Sequence, residues 1–523
     1  MKKIYFNGDF ISLENNDFDA ILVENNKIKN VGSKEEIFAL KDDDTEVVDL
    51  KGKTMMPAFI DPHSHFFNVA SNLLNVSLED CKSFKEIEDR LLKYKKENNI
   101  EPGKWIVAIG YDDNILKEKR HITKYEIDKI LPENPVIIHH KSGHNGVFNS
   151  KGLELVGITN DSEWGYGGKI EKVNNEVTGF LEENAFIENC KKVPLASIDE
   201  LLGACEKAQQ KYASYGIATL QDGMFVDELV PIFKRLVDEN RLYLDVVAFM
   251  DKNGEQEITS AFSHNIKKYN NHFKLGGIKI FLDGSPQEKT AWMRTPYIGE
   301  KDYCGYGTMK DDEVFDDVKF AVDKGYQILA HCNGDRAAEQ YIDAIAKVGN
   351  DAKNIRPVLI HGQLLGVDQL KEVKKLGIIP SFFVAHVYHW GDVHIEHFGF
   401  DRAKEISPAN SAKKDGVVFT FHQDAPVIEP DMFETIWCAV NRKTLNGVVL
   451  GEDEKVNVLD AIKAVTINAA YQYFEENEKG SIKEGKFADL IIVDKNPLKV
   501  DVDDIRNIKV IETIKNGTTV YKA

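Results

Sequence analysis

The chain has 523 residues, 42% of them hydrophobic, and a formal net charge of −19. That length can bury a large core in more than one structural unit, and the acidic balance excludes the electrostatic footprint of a nucleic-acid or anionic-membrane binder. A small-molecule partner is expected, with a homodimer left open.

The start, Met-Lys-Lys-Ile-Tyr-Phe-Asn-Gly, turns polar before an apolar signal core can form, and no later run reaches the ~18 apolar residues that span a bilayer. Cys81, Cys190, Cys205, Cys304, Cys332 and Cys438 lack C-x-x-C spacing and read as free thiols in a reducing compartment. A cytoplasmic location is therefore expected.

In chain order, the first predicted elements are short β-rich runs punctuated by turn residues: Lys3 to Phe6 before Asn7-Gly8, Ala20 to Glu24 before Asn25-Asn26, and Lys27 to Val31. Next comes Asp61-Pro62-His63-Ser64-His65 at the end of an apolar run. Residues from about 68 to 196 hold further strands, Trp105 to Ile109 and Val136 to His140, and a Gly/Asn-rich loop over Ser142 to Gly146. Ser197 and Glu200 then form a capping box for a helix whose apolar stripe is Leu201, Cys205, Ala208, Tyr212 and Tyr215.

From there a helix, a Gly and an apolar strand recur, with the glycines at Gly216, Gly325, Gly377 and Gly416. Gly relieves a left-handed helix cap, and a continuous apolar strand suits a parallel sheet buried on both faces. Strands at Asp489 to Val493, Val510 to Ile514 and Thr518 to Tyr521 close the chain.

The charged and imidazole side chains that end these strands have a regular spacing. His331 and His361 are 30 residues apart, one unit of a (β/α)8 barrel; His361 to Asp424 is 63, two units; Lys279 to His331 is 52, one unit with a long loop. His65 to Lys279 is 214, far beyond the roughly 90 of three units. The expected fold is thus α/β: a (β/α)8 TIM-like barrel over 57–470, with a large insertion after the first strand at about 68–196. A small composite β domain from the two termini, 1–56 and 471–523, completes it.

Each candidate ligand has a bland reading beside the chemical one. His63 and His65 share one face of a strand and suit one metal ion, yet an isolated H-x-H pair is as well explained by satisfied histidines. Lys279 interrupts an apolar strand; burial lowers a lysine pKa, and the neutral amine can take up carbon dioxide as a carbamate, but pairing with a neighbouring carboxylate is commoner. His331 and His361 end apolar strands, where histidines are often merely hydrogen-bonded. Asp424 suits a turn before Pro426, or a ligand that also takes the proton of an attacking water. Together the six side chains could hold two divalent ions, with zinc expected first and iron, manganese or nickel left open, and they point to hydrolysis of a C–N bond by a hydroxide that the metal activates.

Pro57 to His65, Gly143-His144 with Asn149-Ser150, Gly179 to Glu183, Lys279 with Asp283-Gly284-Ser285, Ala330 to Asp335, Ile360-His361-Gly362, Asp424 to Val427, and Gly480 to Leu490 carry a resemblance over nearly the whole chain. The sequence resembles the amidohydrolase superfamily, in its amidohydrolase-3 branch of YtcJ-like and N-substituted formamide deformylase-like proteins. The resemblance implies a metal-dependent hydrolase of amide, N-formyl or N-acyl compounds. It implies that His63, His65 and Asp424 hold one ion, that His331 and His361 hold the other, and that carboxylated Lys279 bridges them.

Two positions depart from the pattern: Ala58 replaces a customary Gly, and His422-Gln423 replaces Gly-Ser before Asp424. The alternatives are a mononuclear deaminase on the same barrel, which needs no bridging lysine, and an inactive barrel scaffold, which would have lost ligands. His144, Glu182, Trp292, His386 and His389 lie in segments expected at the mouth and are the candidate substrate-binding residues. His386, His389, Trp390, His394 and His397 make a His-rich stretch whose spacing matches no helical zinc motif.

Overall fold

The computed structural model describes residues 2–14, 17–194 and 196–523; Met1, Asn15 and Asn16 of the N-terminal segment and Leu195 of the expected insertion lie outside them. Eight strands form one all-parallel sheet in chain order: β1 (Phe59–Ile60), β2 (Ile217–Phe225), β3 (Asp245–Met250), β4 (Phe273–Phe281), β5 (Gln327–Cys332), β6 (Val358–His361), β7 (Ile379–Phe382) and β8 (Thr420–Phe421). The sheet curls so that its ends meet beyond β1 and β8, where the His65 N–H donates to the Ala425 carbonyl at 2.8 Å. This is a TIM-like α/β architecture.

The strands form where the sequence is apolar without alternation. Every residue of β3, β5, β6 and β7 is buried, as a parallel sheet covered on both faces requires. Helices 311–324, 370–376 and 409–415 end at Gly325, Gly377 and Gly416 with φ of 64°, 69° and 70°, the left-handed conformation that costs a side-chain-bearing residue most. The helix Ile198–Ser214 starts on the Ser197/Glu200 capping box and buries Leu201, Cys205, Ala208 and Tyr212. The eighth strand is shorter than the run Val417 to Thr420 suggests. Its ladder bonds lie on the β7 side only, and Val418 points to solvent at 40% exposure.

Between β1 and β2 stands a six-stranded sheet built from Val76–Ser77, Ile106–Tyr111, Val136–His140, Asn145–Phe148, Gly168–Val173 and Glu176–Glu183. Terminal segments build two more sheets. One joins Lys2–Phe6, Ala20–Glu24, Lys27–Gly32 and Thr45–Asp49; the other pairs Asp9–Phe10 and Thr54–Pro57 with Leu490–Val493, Val510–Lys515 and Thr518–Lys522. All six cysteines are unbonded. Among the described residues, no helix is long and apolar enough to cross a membrane.

The C-terminal segment is tied to the barrel at the first residue of β3, opposite the end that carries the candidate ligands. The Asp245 carboxylate accepts from Lys479 Nζ at 2.6 Å and Lys515 Nζ at 2.5 Å, and lies 2.7 Å from His272 Nδ1. Burial alone would raise its pKa, but Lys479, Lys515 and His272 hold it well below the usual carboxylate range. Because the folded-state value lies below the unfolded one, the stabilisation is complete above the ordinary aspartate range and is lost as pH falls through the folded value. Asp245→Ala leaves buried ammonium groups underpaired, so denaturant unfolding should show a loss of about 3 kcal/mol.

Candidate functional site

The loop after β1 carries His63 and His65, and its geometry is set from β2. Gln221 Nε2 donates to the Pro62 carbonyl at 2.7 Å and to Tyr473 Oη at 2.8 Å, which turns its Oε1 to within 2.6 Å of His63 Nδ1. The proton of His63 must therefore sit on Nδ1, leaving the Nε2 lone pair facing inward. That Nε2 is buried with no hydrogen-bond partner among the described residues. Gln221→Leu should weaken divalent-metal binding about 10–100-fold, measured by competition with a chelator.

From the far end of the sheet, Asp424 Oδ1 comes within 3.4 Å of His63 Nε2 and 3.3 Å of His65 Nε2. His361, the last residue of β6, places Nε2 at 3.9 Å from Asp424 Oδ2 and 3.0 Å from Nδ1 of His331 on β5. The Nδ1 of His361 meets His422 Nε2 at 3.1 Å, and His422 Nδ1 meets Ser381 Oγ at 2.9 Å. His361 and Asp424 both adopt positive φ, 74° and 57°, a conformation that costs non-glycine residues of order 1–3 kcal/mol each. The strain turns both side chains toward the same point.

Lys279 on β4 is 2% exposed, and its Nζ has no hydrogen-bond partner among the described residues. Burial lowers its pKa to about 7, against the opposing pull of Asp424. Burial likewise pushes His63, His331 and His361 well below the usual imidazole range, so these rings are neutral donors of lone pairs. Asp424 would be raised by burial, but His65, His422 and Lys279 outweigh that and keep it an anion.

A carboxylate, neutral imidazoles and an amine, with unpaired atoms facing one another, fit divalent metal far better than they fit a hydrogen-bonded core. His63, His361 and Asp424 each offer a ligand atom within 4.8 Å of the others. All six side chains line one cavity of about 760 Å³.

The amidohydrolase family model matches residues 46–521. The chain belongs to the amidohydrolase family. Its similarity to the putative amidohydrolase YtcJ of Bacillus subtilis (strain 168) is 27% identity, covering 100% of each chain. It is 26% identical to the N-substituted formamide deformylase of Arthrobacter pascens, covering 98% of this chain and 96% of that one. The fold is similar to that of an uncharacterized metal-dependent hydrolase from Pyrococcus horikoshii OT3, with a TM-score of 0.79 and 24% identity over 96% of this chain and 99% of that one. The resemblance in the sequence motifs is thus borne out at the level of family.

Of the five side chains expected at the mouth of this amidohydrolase, only His144 lines the cavity. Its ring lies 4.8 Å from that of His331, and its Nδ1 is 2.8 Å from Glu183 Oε2. Glu182 instead faces Lys169 at 3.5 Å, because neighbours on a strand point to opposite faces. Trp292 stands under the Arg336 guanidinium at 5.4 Å and gives its backbone N–H to Asp283. His386 Nδ1 turns to His394 at 3.1 Å, and His389 Nε2 to Glu434 at 2.9 Å; both sit on a short helix, His386–His389.

Sequence reasoning missed Gln221, Glu183 and the supporting role of Asp283, whose carboxylate accepts from the backbone N–H groups of Trp292, Asn333 and Gly334. Gln221 was detectable by position, since it follows the apolar run Ile217 to Leu220 on the side of the strand where ligands are found.

Proposed function

We propose that this amidohydrolase is a metal-dependent hydrolase that cleaves the C–N bond of an amide, N-formyl or N-acyl small molecule. The observation that carries this reading is Asp424. Its buried, unpaired Oδ1 stands 3.3–3.4 Å from two imidazole nitrogens at one wall of a cavity about 760 Å³ in volume. His63, His65 and Asp424 would hold one divalent ion and His331 and His361 a second, with Lys279, as its carbamate, between them. Zinc suits this mixture of imidazole and carboxylate. When bound, such ions lower the pKa of water and polarise a carbonyl oxygen.

The chain's own groups supply the rest. Asp424 accepts the proton of the attacking water and returns it to the departing nitrogen, which leaves as an amine. His144, held by Glu183 beside His331, would bind the carbonyl side of the substrate. Phe67, Leu74, Val107, Phe186 and Met224 on the cavity wall accommodate an apolar substituent and keep competing water away. The named activity of the Arthrobacter relative supports an N-substituted amide as the substrate class.

Metal-reconstituted protein should release formate or a carboxylate together with an amine from a panel of N-substituted formamides, N-acyl amino acids and cyclic amides. Ammonia released from aminated heterocycles, with no acid from any amide, would overturn the reading.

A further inference from the structure

A second group of ligand-type side chains stands where the inserted sheet meets the loop after β4. Asp112 and Asp113 follow the strand Ile106–Tyr111, and His140 ends the neighbouring strand Val136–His140. His121 comes from the connection before the helix Lys124–Ile130, and Glu288 from the loop after β4.

Nε2 of His140 lies 3.3 Å from Asp113 Oδ1, 3.5 Å from Glu288 Oε1 and 3.9 Å from Asp112 Oδ1. His121 adds Nδ1 at 3.7 Å from Asp113 Oδ1 and Nε2 at 3.6 Å from Glu288 Oε2. The side chains of His140, Asp112 and Glu288 are 1%, 6% and 7% exposed. Among the described residues, Asp113 Oδ1, His140 Nε2 and Glu288 Oε1 are buried without any hydrogen-bond partner.

These separations are longer than N–H···O hydrogen bonds, which cluster at about 2.9–3.0 Å. The His140 separations from Asp113 and Glu288, 3.3 and 3.5 Å, match the spacing of roughly 3.4 Å between two ligands of one tetrahedral ion bound at about 2.0–2.2 Å. The same signature of facing, unpaired atoms occurs between Asp424 Oδ1 and His63 Nε2, 3.4 Å apart. Three carboxylates face two imidazoles here, those of Asp112 and Glu288 being buried, and a buried carboxylate left uncompensated costs several kcal/mol.

We infer that Asp112, Asp113, His140 and Glu288, with His121 beside them, form a separate cation site that takes a divalent transition ion such as Zn²⁺ or Mn²⁺. Imidazole among the donors favours these ions over Mg²⁺ or Ca²⁺, which take oxygen. The ion ties the inserted sheet to the barrel and steadies the cavity wall. His140 opens the segment that runs through Ser142 to His144, all cavity residues, and the Glu288 loop also carries Thr290, which donates to Glu183, the partner of His144.

His140 Nδ1 lies 2.9 Å from Ser142 Oγ, which can accept its proton and free Nε2 for the ion. The Ser142 backbone N–H, 3.1 Å from the same nitrogen, favours the opposite tautomer, with Nε2–H toward Glu288. Burial raises the Glu288 pKa, and Glu288, Asp112 and Asp113 raise that of His140 against its own burial, so a bound ion would displace a proton from the ring.

The test is anomalous diffraction from crystals of the full chain reconstituted with Zn²⁺, and separately with Mn²⁺, paired with metal analysis of Glu288→Gln and Asp113→Asn. The expected result is a peak within bonding distance of His140 Nε2, and one fewer ion per chain in each variant while the peak at Asp424 persists. Chelation should also lower the Tm of the native chain more than that of Glu288→Gln. A native crystal with metal at Asp424 and none at His140 overturns the inference and leaves the hydrolase reading intact; the converse map separates the two the other way. If neither variant folds, the native map alone decides.

Discussion

Asp424→Asn is expected to lower kcat/KM by about 10²–10⁴-fold, the usual worth of a general acid–base group. The substitution keeps the size of the side chain and an oxygen able to face His63 and His65, but an amide cannot take a proton from water. In the native chain the carboxylate stays ionised despite its burial, because His65, His422 and Lys279 offset the desolvation. Its backbone is held at φ 57°, a conformation Asn tolerates about as well as Asp, so the fold should survive. The loss should fall on kcat, since the proton is transferred in the transition state and not on binding. A variant that hydrolyses the best panel substrate at the native rate would remove Asp424 from the chemistry.

Much of the barrel was legible because its physics is local. Strands buried on both faces must be apolar throughout, and Gly325, Gly377 and Gly416 mark the helix ends that precede three of them. The side chains that gather around the cavity were legible by position, since each stands within the last three residues of a barrel strand or just beyond it.

Partnerships across the sheet were not legible. Gln221 and His63 are 158 residues apart, and their contact depends on β1 and β2 being neighbours. The choice between Glu182 and Glu183 needed the phase of a two-residue alternation, which the register of Asn145 against Glu182 sets and composition does not. His386 and His389 were read as mouth residues from a histidine-rich run after a strand, whereas a short helix turns these rings onto His394 and Glu434. The cluster of Asp112, Asp113, His121, His140 and Glu288 has no sequence motif at all, because its members belong to the inserted sheet, its loops and a barrel loop.

Lys279→Met carries the other large expected effect. Methionine fills a similar apolar volume on β4, so packing beside Phe281 is kept while the amine is lost. A buried Lys279 with a pKa near 7 is about half neutral at that pH. The neutral amine can add to carbon dioxide, forming a C–N bond and releasing one proton, and the product would be an anion where Nζ has no hydrogen-bond partner among the described residues. Full metal loading of the apoprotein should therefore need bicarbonate, and Lys279→Met should hold one ion fewer per chain than the native protein whether or not bicarbonate is present. Losing one of two charge-stabilising ions is worth several kcal/mol, so hydrolysis should fall by about 10²-fold or more. Full metal content and native turnover in Lys279→Met would mean that the lysine is a buried bystander, and would favour a single ion held by His63, His65 and Asp424.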